Sequence, residues 1–542
     1  MEHLDVAIVG YGPVGMVMAA LLGQAGRRVA VLERYGGKYN LPRAAIFDDE
    51  TMRTFAKLGI ARDMLPKVHA QRRYEWRNAA GELLIEHDFA EQGRSGWAEW
   101  YMMYQPDLED ALDRVCHAQG VSVRFDSCVT AIDQHADHVS MTIEGQDTPV
   151  TARYVVACDG GNSFVRGALD VDMDDYGFSE PWMVCDFRLD GPVADLPMAR
   201  QVCDPAQPIS IISLGPDHHR FSFMLDADED PMVEREPDRV WRRVSNYLRP
   251  DQATLIRAAT YTFRSLIATR WRDRRILLAG DAAHQMPPFL GQGMCSGIRD
   301  ALNLYWKLDL ALAGADTEAL LDSYRSERDP HVRAVTAKGI ELGRVQTMRD
   351  PAAAAARDEQ FLRRRRDNAK PDKIVFPPLG DGAFGGGAGA GELFPQAIVR
   401  DGARHGRFDE VVGYGPMVVA RAAGSQDTRD WLRAQAARSG LQLVFVAKDG
   451  GDGSLADVQG SYLDWLDAHG CAAVAIRPDF HVWGSVGGAE GTGNLIERFA
   501  AFLRPDQVEP AADPTDARPL KVAARLSLSA AAERPVFNTG FL

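Results

Sequence analysis

The chain has few of the features that would set it apart from ordinary globular proteins. Its seven cysteines are odd in number and none of them forms a C-x-x-C pair, which argues against a disulfide framework and against a zinc site. No apolar run is long enough to cross a membrane. The first apolar run begins so close to residue 1 that we expect no signal peptide. The sequence therefore predicts a cytoplasmic protein without a metal site.

Excess positive charge is also missing. Lys and Arg total 61 against 76 Asp and Glu, which gives a formal net charge of −15. Nucleic acids and anionic membranes favour clustered Lys and Arg, so we expect neither as the main partner. The basic run at residues 363–366 is interpreted as the solvated face of a helix. A chain of 542 residues is long enough for two or three domains.

The most informative pattern lies at residues 5–33. An apolar strand leads into the sequence GYGPVG, which is followed by a helical segment and a second apolar strand. In such a unit Gly10 allows the tight turn, Gly12 allows a pyrophosphate to approach the backbone, and Gly15 lets the helix pack on the strand. The helix start favours a diphosphate, and Glu33 offers an acceptor to a ribose. The pattern predicts dinucleotide binding but leaves FAD and NAD open.

A second glycine-rich loop follows another short apolar strand. It reads GDAAH at residues 280–284 and continues through PP to GQGM at residues 291–294, where a long helix begins. Its backbone N–H groups suit an anionic or carbonyl-bearing ligand, and Asp281 offers an acceptor to a polyol. A later echo of the first loop, residues 411–418, has valine in the place of the third glycine and continues as a strand. We therefore predict no second dinucleotide motif.

The rest of the chain divides by composition. Short β-like runs at residues 172–272 predict an antiparallel sheet inserted between two parts of the nucleotide domain. Within it, Tyr261 and Phe263 share one face of a strand, where core packing is the commoner role and a wall of the substrate site is the alternative. The pair His218 and His219 is interpreted as surface loop. The predicted parts are a nucleotide domain at 1–171 and 273–349, the inserted sheet at 172–272, a linker at 350–392, a small α/β domain at 393–510, and a tail at 511–542.

Three of these motifs together resemble the signatures of the FAD-dependent, single-component aromatic hydroxylases. They are the first glycine loop with Glu33, the DG turn at residues 159–160 that is followed by Val165 and Arg166, and the second glycine loop. The sequence PRAAIFDDE at residues 42–50 makes the chain similar in particular to the 3-(3-hydroxyphenyl)propanoate hydroxylases. The resemblance implies an α/β fold with a Rossmann-like FAD-binding domain, an inserted antiparallel-sheet substrate domain and a C-terminal thioredoxin-like α/β domain.

The resemblance also implies which residues hold FAD. Glu33 and Val129 would contact the adenosine, and Gly293 and Met294 would present backbone N–H groups to the isoalloxazine. The full set expected to bind FAD is Gly10, Gly12, Pro13, Val14, Gly15, Glu33, Arg34, Arg43, Gln105, Val129, Asp159, Gly160, Gly280, Asp281, Pro288, Gly291, Gly293 and Met294.

Within that set, Arg43, Gln105 and Asp281 are expected near the ribityl and diphosphate groups. For Arg43 the residues alone leave a structural ion pair equally open. Cys295 stands where many relatives have asparagine, so only a backbone contact with the flavin is expected there.

The chemistry implied by the resemblance is oxygenation of a phenolic ring. NADH or NADPH would reduce FAD, dioxygen would add to it, and the flavin hydroperoxide would hydroxylate a phenolic compound, in aromatic catabolism. The protein would position the phenol and exclude water. The alternatives are an FAD oxygenase that tailors a polycyclic or heteroaromatic metabolite, a non-oxygenating FAD reductase, and a flavin-binding regulatory protein.

The partners that follow from this interpretation are a small aromatic substrate and O2, while homo-oligomerisation is left open.

The C-terminal α/β segment contains RPD at residues 477–479, which resembles the last-strand pattern of the thioredoxin-like domain in larger family members. Because C-x-x-C is missing, we expect packing or oligomer contact from it instead of redox chemistry. No catalytic side chain is predicted.

Overall fold

The computed structural model describes residues 4–314, 317–371 and 373–504. The predicted tail at 511–542 lies outside the described residues, as do residues 1–3 and the last part, 505–510, of the predicted C-terminal domain.

The secondary structure alternates between helices and strands along most of the chain. The elements up to residue 171 are β1 (Leu4–Val9), α1 (Pro13–Gln24), β2 (Val29–Leu32), β3 (Ile46–Asp48), α2 (Asp49–Lys57), α3 (Ala61–Met64), β4 (Val68–Ala70), β5 (Tyr74–Asn78), β6 (Leu83–His87), β7 (Trp100–Met103), α4 (Gln105–Ala118), β8 (Ser122–Arg124), β9 (Val129–Gln134), β10 (Val139–Ile143), β11 (Val150–Ala157) and α5 (Phe164–Ala168).

The middle of the chain adds β12 (Met173–Leu189), β13 (Ala199–Cys203), β14 (Ile209–Ser213), β15 (His218–Met224), α6 (Pro231–Glu234), α7 (Pro237–Val244), β16 (Ala253–Ala268), β17 (Arg272–Asp273), β18 (Ile276–Leu278), β19 (His284–Gln285), α8 (Gly293–Ala313), α9 (Thr317–Gln346) and α10 (Pro351–Arg366). The C-terminal elements are β20 (Ile398–Asp401), β21 (Arg404–Arg407), α11 (Phe408–Val412), β22 (Met417–Arg421), α12 (Gln426–Arg438), β23 (Gln442–Ala447), β24 (Ser454–Asp457), α13 (Ser461–Ala468), β25 (Ala473–Ile476), β26 (Val482–Val486) and α14 (Gly488–Leu503).

The first sheet is built around β1. Its strand order is β17-β18-β11-β1-β2-β8, and β1 pairs in parallel with β11 and with β2. Val6, Ala7 and Ile8 are fully buried, as expected for a parallel sheet that is covered on both faces. Strands β1, β11 and β18 run directly into the three predicted loops, so these loops meet at one edge of the sheet, where open α/β sheets bind ligands. The Rossmann-like fold is confirmed.

The second sheet, called the substrate sheet below, is larger than the sequence suggested. Its order is β19-β16-β12-β15-β14-β13-β5-β6, so the hairpin β5–β6 joins it from outside residues 172–272. The added strand β5 pairs in parallel with β13, whereas the other neighbours pair in an antiparallel manner. The hairpin joins the sheet because its apolar side chains, Tyr74 and Trp76, become buried there.

The interpretation of His218 and His219 as surface loop is wrong, because both residues belong to β15. His219 is buried, and burial lowers its pKa to about 3. The ring of His218 stacks on Tyr104 at a centroid distance of 3.8 Å. The strand begins at His218, two residues before the apolar run that signals it in the sequence, and six of its seven residues are buried.

Part of the predicted linker is also corrected. Residues Pro351–Arg366 form α10, and Asp350 caps this helix by accepting a hydrogen bond from the backbone N–H of Ala353 at 2.7 Å. Ala354 and Phe361 are buried. The alanine run favours a helix, and the buried apolar side chains pack it onto the molecule, so this stretch is a structural element instead of a connector.

The C-terminal segment forms a mixed seven-stranded sheet. In its centre β22, β23 and β24 are parallel, while β25 and β26 run antiparallel, which fits the predicted thioredoxin-like fold. The echo of the glycine loop leads into strand β22 and not into a helix, so its rejection as a dinucleotide motif is confirmed. Within the described residues, no helix combines the length and the apolar character needed to span a membrane.

This domain is held to the rest of the molecule by a cluster of buried charges. Arg477 donates to Glu327 on α9 at 2.8 and 3.1 Å, and it also pairs with Asp479 at 2.5 Å. Lys307 of α8 lies 2.9 Å from the same glutamate. All four side chains have 0% or 1% exposure. The RPD motif therefore supplies the contact by which this domain packs on α8 and α9.

Candidate active site

A cavity of about 650 Å³ extends from the three loops of the parallel sheet to the face of the substrate sheet. All residues of the predicted FAD-binding set line it except Gly15 and Gly280. The structure therefore brings together positions that are separated by up to 284 residues in the sequence, from Gly10 to Met294.

The first glycine loop shows a different use for each glycine. Gly10 has a φ of +101°, and a Cβ there would lie 2.5 Å from the carbonyl oxygen of Cys158. A Cβ on Gly15 would lie 2.2 Å from the carbonyl oxygen of Gly10, so this residue packs the helix on the strand behind the cavity wall. A Cβ on Gly12 would meet nothing within 4 Å. Gly12 therefore keeps open the space in front of the start of α1.

Helix α1 begins at Pro13 without a side-chain cap. The N–H groups of a first helical turn have no partner within the helix, and here the start of that turn lines the cavity. Together with the positive end of the helix dipole, these groups form an anion site that suits a diphosphate.

Glu33 is fixed at one end of the cavity. Its carboxylate accepts hydrogen bonds from the backbone N–H groups of Tyr11 at 2.8 Å and Tyr35 at 3.1 Å. Each carboxylate oxygen has further lone pairs, so these bonds orient the group and leave acceptors for ribose hydroxyls. Arg34 and Val129 line the same end.

Gln105 and Arg43 belong to the wall of the cavity next to this end. The side-chain oxygen of Gln105 accepts from the backbone N–H groups of Arg43 at 3.2 Å and Ala44 at 2.6 Å, so the glutamine shapes the loop that carries the arginine. The guanidinium of Arg43 lies 4.0 Å from the ring centroid of Tyr39. In the described part of the chain it forms no ion pair with a carboxylate, which removes the support for a purely structural ion pair.

The DG turn is tied to the second glycine loop by Arg166. This arginine donates to the carbonyl oxygens of Ala282 at 3.0 Å and Gly161 at 2.8 Å. The carboxylate of Asp159 accepts from the backbone N–H of Val165 at 3.1 Å, while its other oxygen is buried without a partner among the described residues. Arg166 thus holds two loops in register, and Asp159 keeps an acceptor available beside the cavity.

The second glycine loop is held from behind by Asp300 of α8. The buried carboxylate accepts from the backbone N–H of Gly280 at 3.0 Å, lies 2.6 Å from Nε2 of His284, and accepts from Arg328 at 2.9 Å. Burial alone raises the pKa of Asp300, but His284 and Arg328 outweigh that effect and lower it below the usual range. Gly280 therefore has a positioning role, and its neighbour Asp281 faces the cavity, where loss of solvent raises the pKa of Asp281.

The turn before α8 brings backbone groups to the middle of the cavity. Gly291 has a φ of +64°, which ends the short turn at Pro288–Leu290, and α8 starts at Gly293 without a side-chain cap. Gly293 and Met294 line the cavity. Cys295 is buried and its sulfur turns back towards the carbonyl oxygen of Gly291 at 3.9 Å, consistent with the expectation that its side chain contacts no ligand.

The far end of the cavity is walled by aromatic rings. Trp182 stacks on Phe263 at a centroid distance of 5.9 Å and meets the edge of Phe289 at 5.8 Å. Tyr261 also lines the cavity and is 37% exposed, so its expected role in core packing is wrong. These rings suit a flat apolar ligand.

Polar groups on the substrate sheet face the same space. Gln201, Ser210 and Ser222 are direct neighbours across β13, β14 and β15, and all three line the cavity. The amide nitrogen of Gln201 donates to the hydroxyl of Tyr74 at 2.9 Å, and its oxygen is buried without a partner among the described residues. The sheet therefore presents a row of one amide and two hydroxyl groups beside the aromatic wall.

Arg220 connects this sheet to the loop that carries Arg43. It pairs with the fully buried Asp186 at 2.6 Å and donates to the carbonyl oxygens of Pro42 at 3.1 Å and Arg43 at 2.5 Å. The two walls of the cavity are thereby fixed relative to each other.

Comparison with known proteins agrees with this geometry. Residues 3–338 match the model of the FAD binding domain, and residues 391–502 match that of the HcaD C-terminal domain. The chain is 50% identical to a probable NADH-specific resorcinol 4-hydroxylase of Rhodococcus jostii (strain RHA1), with 94% of this chain and 97% of the relative covered. It is 34% identical to a 3-(3-hydroxy-phenyl)propionate/3-hydroxycinnamic acid hydroxylase of Mycobacterium sp. (strain KMS), with 88% and 87% covered.

The chain belongs to the FAD-dependent aromatic hydroxylases. Its fold is similar to that of aklavinone-11 hydroxylase, which was crystallised with FAD and aklavinone, with a TM-score of 0.75 at 23% identity, covering 93% of this chain and 99% of that one. The hydroxylase is thus an FAD-dependent monooxygenase that uses NAD(P)H and O2 to hydroxylate a phenolic aromatic compound, as the sequence predicted.

The residues present in the hydroxylase fit FAD. The space in front of Gly12 is free, and one carboxylate oxygen of Asp159 has no hydrogen-bond partner among the described residues. Helices α1 and α8 both start without a side-chain cap. A long ligand with a diphosphate at its centre would meet an anion site at α1, with acceptors on either side of it.

Sequence reasoning missed several residues of the hydroxylase site, among them Gln201, Arg220 and Asp300. Alternation along β13 places Gln201 on the buried face with Ala199 and Cys203. A glutamine among inward-facing apolar residues was the available signal. Arg220 and Asp300 act through contacts that are remote in sequence, and for these no local signal exists.

Replacing Asp281 in the hydroxylase tests its expected contact with FAD. We expect Asp281→Ala to weaken FAD binding by about tenfold or more, because an acceptor for the polyol hydroxyl groups of FAD is lost. The ratio of flavin to protein absorbance after purification measures this effect. Asp281→Asn keeps an acceptor oxygen and serves as the matched control. Full flavin occupancy in Asp281→Ala would contradict the assigned contact.

Proposed function

We propose that this enzyme hydroxylates a dihydroxybenzene of the resorcinol type and takes its electrons from NADH. The observation that carries the proposal is the row formed by Gln201, Ser210 and Ser222. Neighbouring strands lie about 4.8 Å apart, which is close to the separation of two meta hydroxyl groups on a benzene ring. Adjacent members of the row can therefore bind both hydroxyls of one ring.

The remaining walls support a single aromatic ring. Trp182, Phe263 and Phe289 surround the end of the cavity next to the polar row. The 50% identical relative, named a probable NADH-specific resorcinol 4-hydroxylase, supports both the substrate class and the choice of NADH. The alternative of a polycyclic or heteroaromatic substrate predicts that larger phenols turn over faster than resorcinol.

We further propose that FAD is held by the predicted set of residues. The start of α1 would bind the diphosphate, Glu33 the adenosine ribose and Asp281 the ribityl chain, while Gly293 and Met294 would face the ring system with their backbone N–H groups. When bound, FAD supplies the reduction by NADH and the activation of O2 that insert one oxygen atom into the substrate ring.

The chain itself supplies orientation and activation of the phenol. Because the amide nitrogen of Gln201 is engaged by Tyr74, its oxygen is left to accept a hydrogen bond from a substrate hydroxyl. A hydrogen bond of this kind increases the electron density of the phenolic ring and so its reactivity towards electrophilic oxygen. Burial raises the pKa of Tyr74, which keeps this tyrosine a neutral partner of the glutamine at neutral pH.

The aromatic side chains of the cavity wall also help to exclude water from the substrate. Trp182 is 1% exposed and Phe289 is 8% exposed, so these two rings shield one side of the reacting end from solvent. Shielding strengthens the hydrogen bond to the substrate hydroxyl and limits unproductive consumption of NADH.

The experiment that tests the function is a turnover assay on the purified, FAD-loaded enzyme. We expect oxidation of NADH to require resorcinol and to yield one hydroxylated product per NADH consumed, with NADPH a poorer donor. Oxidation of NADH without an oxygenated product from any phenol would contradict the proposal. Faster turnover of polycyclic phenols would favour the alternative.

Removal of the proposed acceptor gives a sharper test of the site. We expect Gln201→Leu to raise the dissociation constant for resorcinol by roughly tenfold or more, because a buried hydrogen bond to the substrate is lost. Titration of the flavin absorbance with resorcinol measures the constant. Gln71→Leu is the matched control, since Gln71 is also a buried glutamine whose side-chain oxygen has no partner among the described residues, but it does not line the cavity. Equal affinities of the two variants for resorcinol would show that Gln201 does not bind the substrate.

We also propose that the enzyme acts in the cytoplasm, as the sequence suggested. All seven cysteines are free in the structure, and free thiols persist in a reducing compartment.

A further inference from the structure

A second cavity, called the vestibule below, lies behind the aromatic wall of the substrate end and has a volume of about 290 Å³. The β5–β6 hairpin and nearby rings form one side, including Trp76 and Phe89, and α9 and α10 form the other, including Leu342 and Phe361. All four side chains are buried. An apolar cavity of about 150 Å³ already binds benzene, so the vestibule has room for one substituted ring.

Only one layer of side chains separates the vestibule from the substrate end. Tyr74, Trp100 and Phe289 line both cavities. Tyr74 belongs to β5 and Trp100 to β7, where strand pairing holds the backbone. Phe289 belongs to a three-residue turn between Pro287 and Gly291. Of the three rings, Phe289 is the one whose backbone has the least support from neighbouring strands.

The position of the Phe289 ring depends on a glycine of α9. A Cβ on Gly343 would lie 2.7 Å from Cδ2 of Phe289, so the glycine leaves the space in which the ring lies. The ring meets Phe178 edge-on at 5.5 Å. These apolar contacts impose no hydrogen bond that would have to break if the ring turned aside.

The mouth of the vestibule is positively charged although the whole chain has a net charge of −15. Its rim consists of Lys338, Arg364, Arg365, Lys370 and Lys373. Glu341 lies 3.1 Å from Lys338, and Glu99 lies 4.0 Å from Lys373, but among the described residues no carboxylate lines the vestibule itself. Such a rim attracts phenolates and phenols that carry a carboxylate.

FAD would occupy much of the main cavity. Its exposed residues at the adenosine end, Arg34 and Tyr35, lie where the proposed FAD contacts begin. A cofactor held from Glu33 to Met294 would fill the cavity between that opening and the substrate sheet. The substrate sheet also has exposed lining residues, Tyr261, Thr262 and Arg264, and the vestibule offers a second route to the substrate end that does not pass the cofactor.

We propose that the vestibule binds the incoming single-ring phenol and passes it to the substrate end when Phe289 turns aside. The inference rests on the proposed function, because it takes the polar row on the substrate sheet as the destination. It adds a second aromatic site to the enzyme, with a preference for anionic phenols set by the cationic rim.

The test is the rate of phenol binding to the FAD-loaded enzyme, followed by stopped-flow through the flavin absorbance. Leu342→Trp fills the vestibule, and we expect the association rate constant for resorcinol to fall by about tenfold or more. Leu65→Trp is the matched control, because Leu65 is 41% exposed and lines neither cavity. Flavin content shows whether each variant retains an intact cofactor site.

Two more variants keep the test decisive. If Leu342→Trp does not fold, Ile374→Trp narrows the vestibule from its half-buried rim with the same expected loss. Arg365→Gln should slow the binding of 3-(3-hydroxyphenyl)propionate more than that of resorcinol, and the difference should shrink at high salt. If both tryptophan variants bind the phenol at the wild-type rate, the proposed entry through the vestibule is wrong, while the hydroxylase function is unaffected. Failure of the function itself would appear separately, as missing product in the wild type.

Discussion

Gly12→Val is expected to abolish stable FAD binding while leaving the fold intact. The backbone at Gly12 is extended, with φ −81° and ψ 177°, a conformation that valine adopts readily. A side chain there meets no protein atom within 4 Å, so it projects into the space reserved for the diphosphate at α1. Loss of one or two charge-assisted hydrogen bonds weakens binding by at least about 100-fold.

The measurement is a titration of the apoprotein with FAD, with circular dichroism to report the fold. Gly167→Val is the matched control, since a Cβ there also meets nothing within 4 Å and the residue lies outside the cavity. Gly15→Val forms a contrast, because its Cβ would lie 2.2 Å from a backbone oxygen and should damage the fold itself. Unchanged FAD affinity in Gly12→Val would show that the diphosphate binds elsewhere.

Glu327→Ala is expected to detach the C-terminal domain from α8 and α9. The glutamate accepts from Arg477, from Asn303 at 2.7 Å and from the backbone N–H of Ala383 at 2.8 Å, and it pairs with Lys307. Its removal leaves buried donors and a buried lysine without their counter-charge. Breaking a buried pair from one side costs about 3–5 kcal/mol, which is a large share of the stability of a domain.

Chemical unfolding and limited proteolysis between residues 366 and 398 measure this effect. Asp467→Ala is the control, because Asp467 is 70% exposed in its pair with Arg421, and an exposed pair contributes about 1 kcal/mol or less. A loss of stability in Glu327→Ala no larger than in the control would contradict the role of the cluster.

The same cluster predicts how the interface responds to acid. Burial raises the pKa of Glu327, but Arg477 and Lys307 outweigh this effect and hold the pKa at about 2, against a usual value of 4.5. The folded state therefore gains stability from this group at all pH values above 4.5 and loses that gain as the pH falls towards 2.

Local patterns in the sequence were enough to find the three loops that line the main cavity. The spacing of Gly10, Gly12 and Gly15 is dictated by one turn and one helix start, so it can be interpreted without knowing the rest of the molecule. The same is true of the turn at Asp159 and the acidic residue at Asp281, each of which directly follows a buried strand. Their meeting at one sheet edge follows from the parallel direction of β1, β11 and β18.

The substrate side could not be predicted in the same way. Gln201 stands out only as a polar residue among inward-facing apolar ones, and it forms a binding row with Ser210 and Ser222 only because three strands pair in a particular register. The hairpin at residues 74–87 gave no sign that its first strand would pair with β13, 125 positions further along the chain. Packing also turned Tyr261 towards the cavity, where its period-2 pattern suggested a core position.

The sequence by itself determined the Rossmann-like unit and the family, because the motifs that identify them are turns and helix starts that a few neighbouring residues fix. The cofactor class followed from the resemblance to that family. Only the tertiary structure decided which side chains surround the phenol, how the C-terminal domain docks and where a second cavity opens. Those features arise from strand register and from buried contacts between distant segments, and such contacts exist only after the chain has folded.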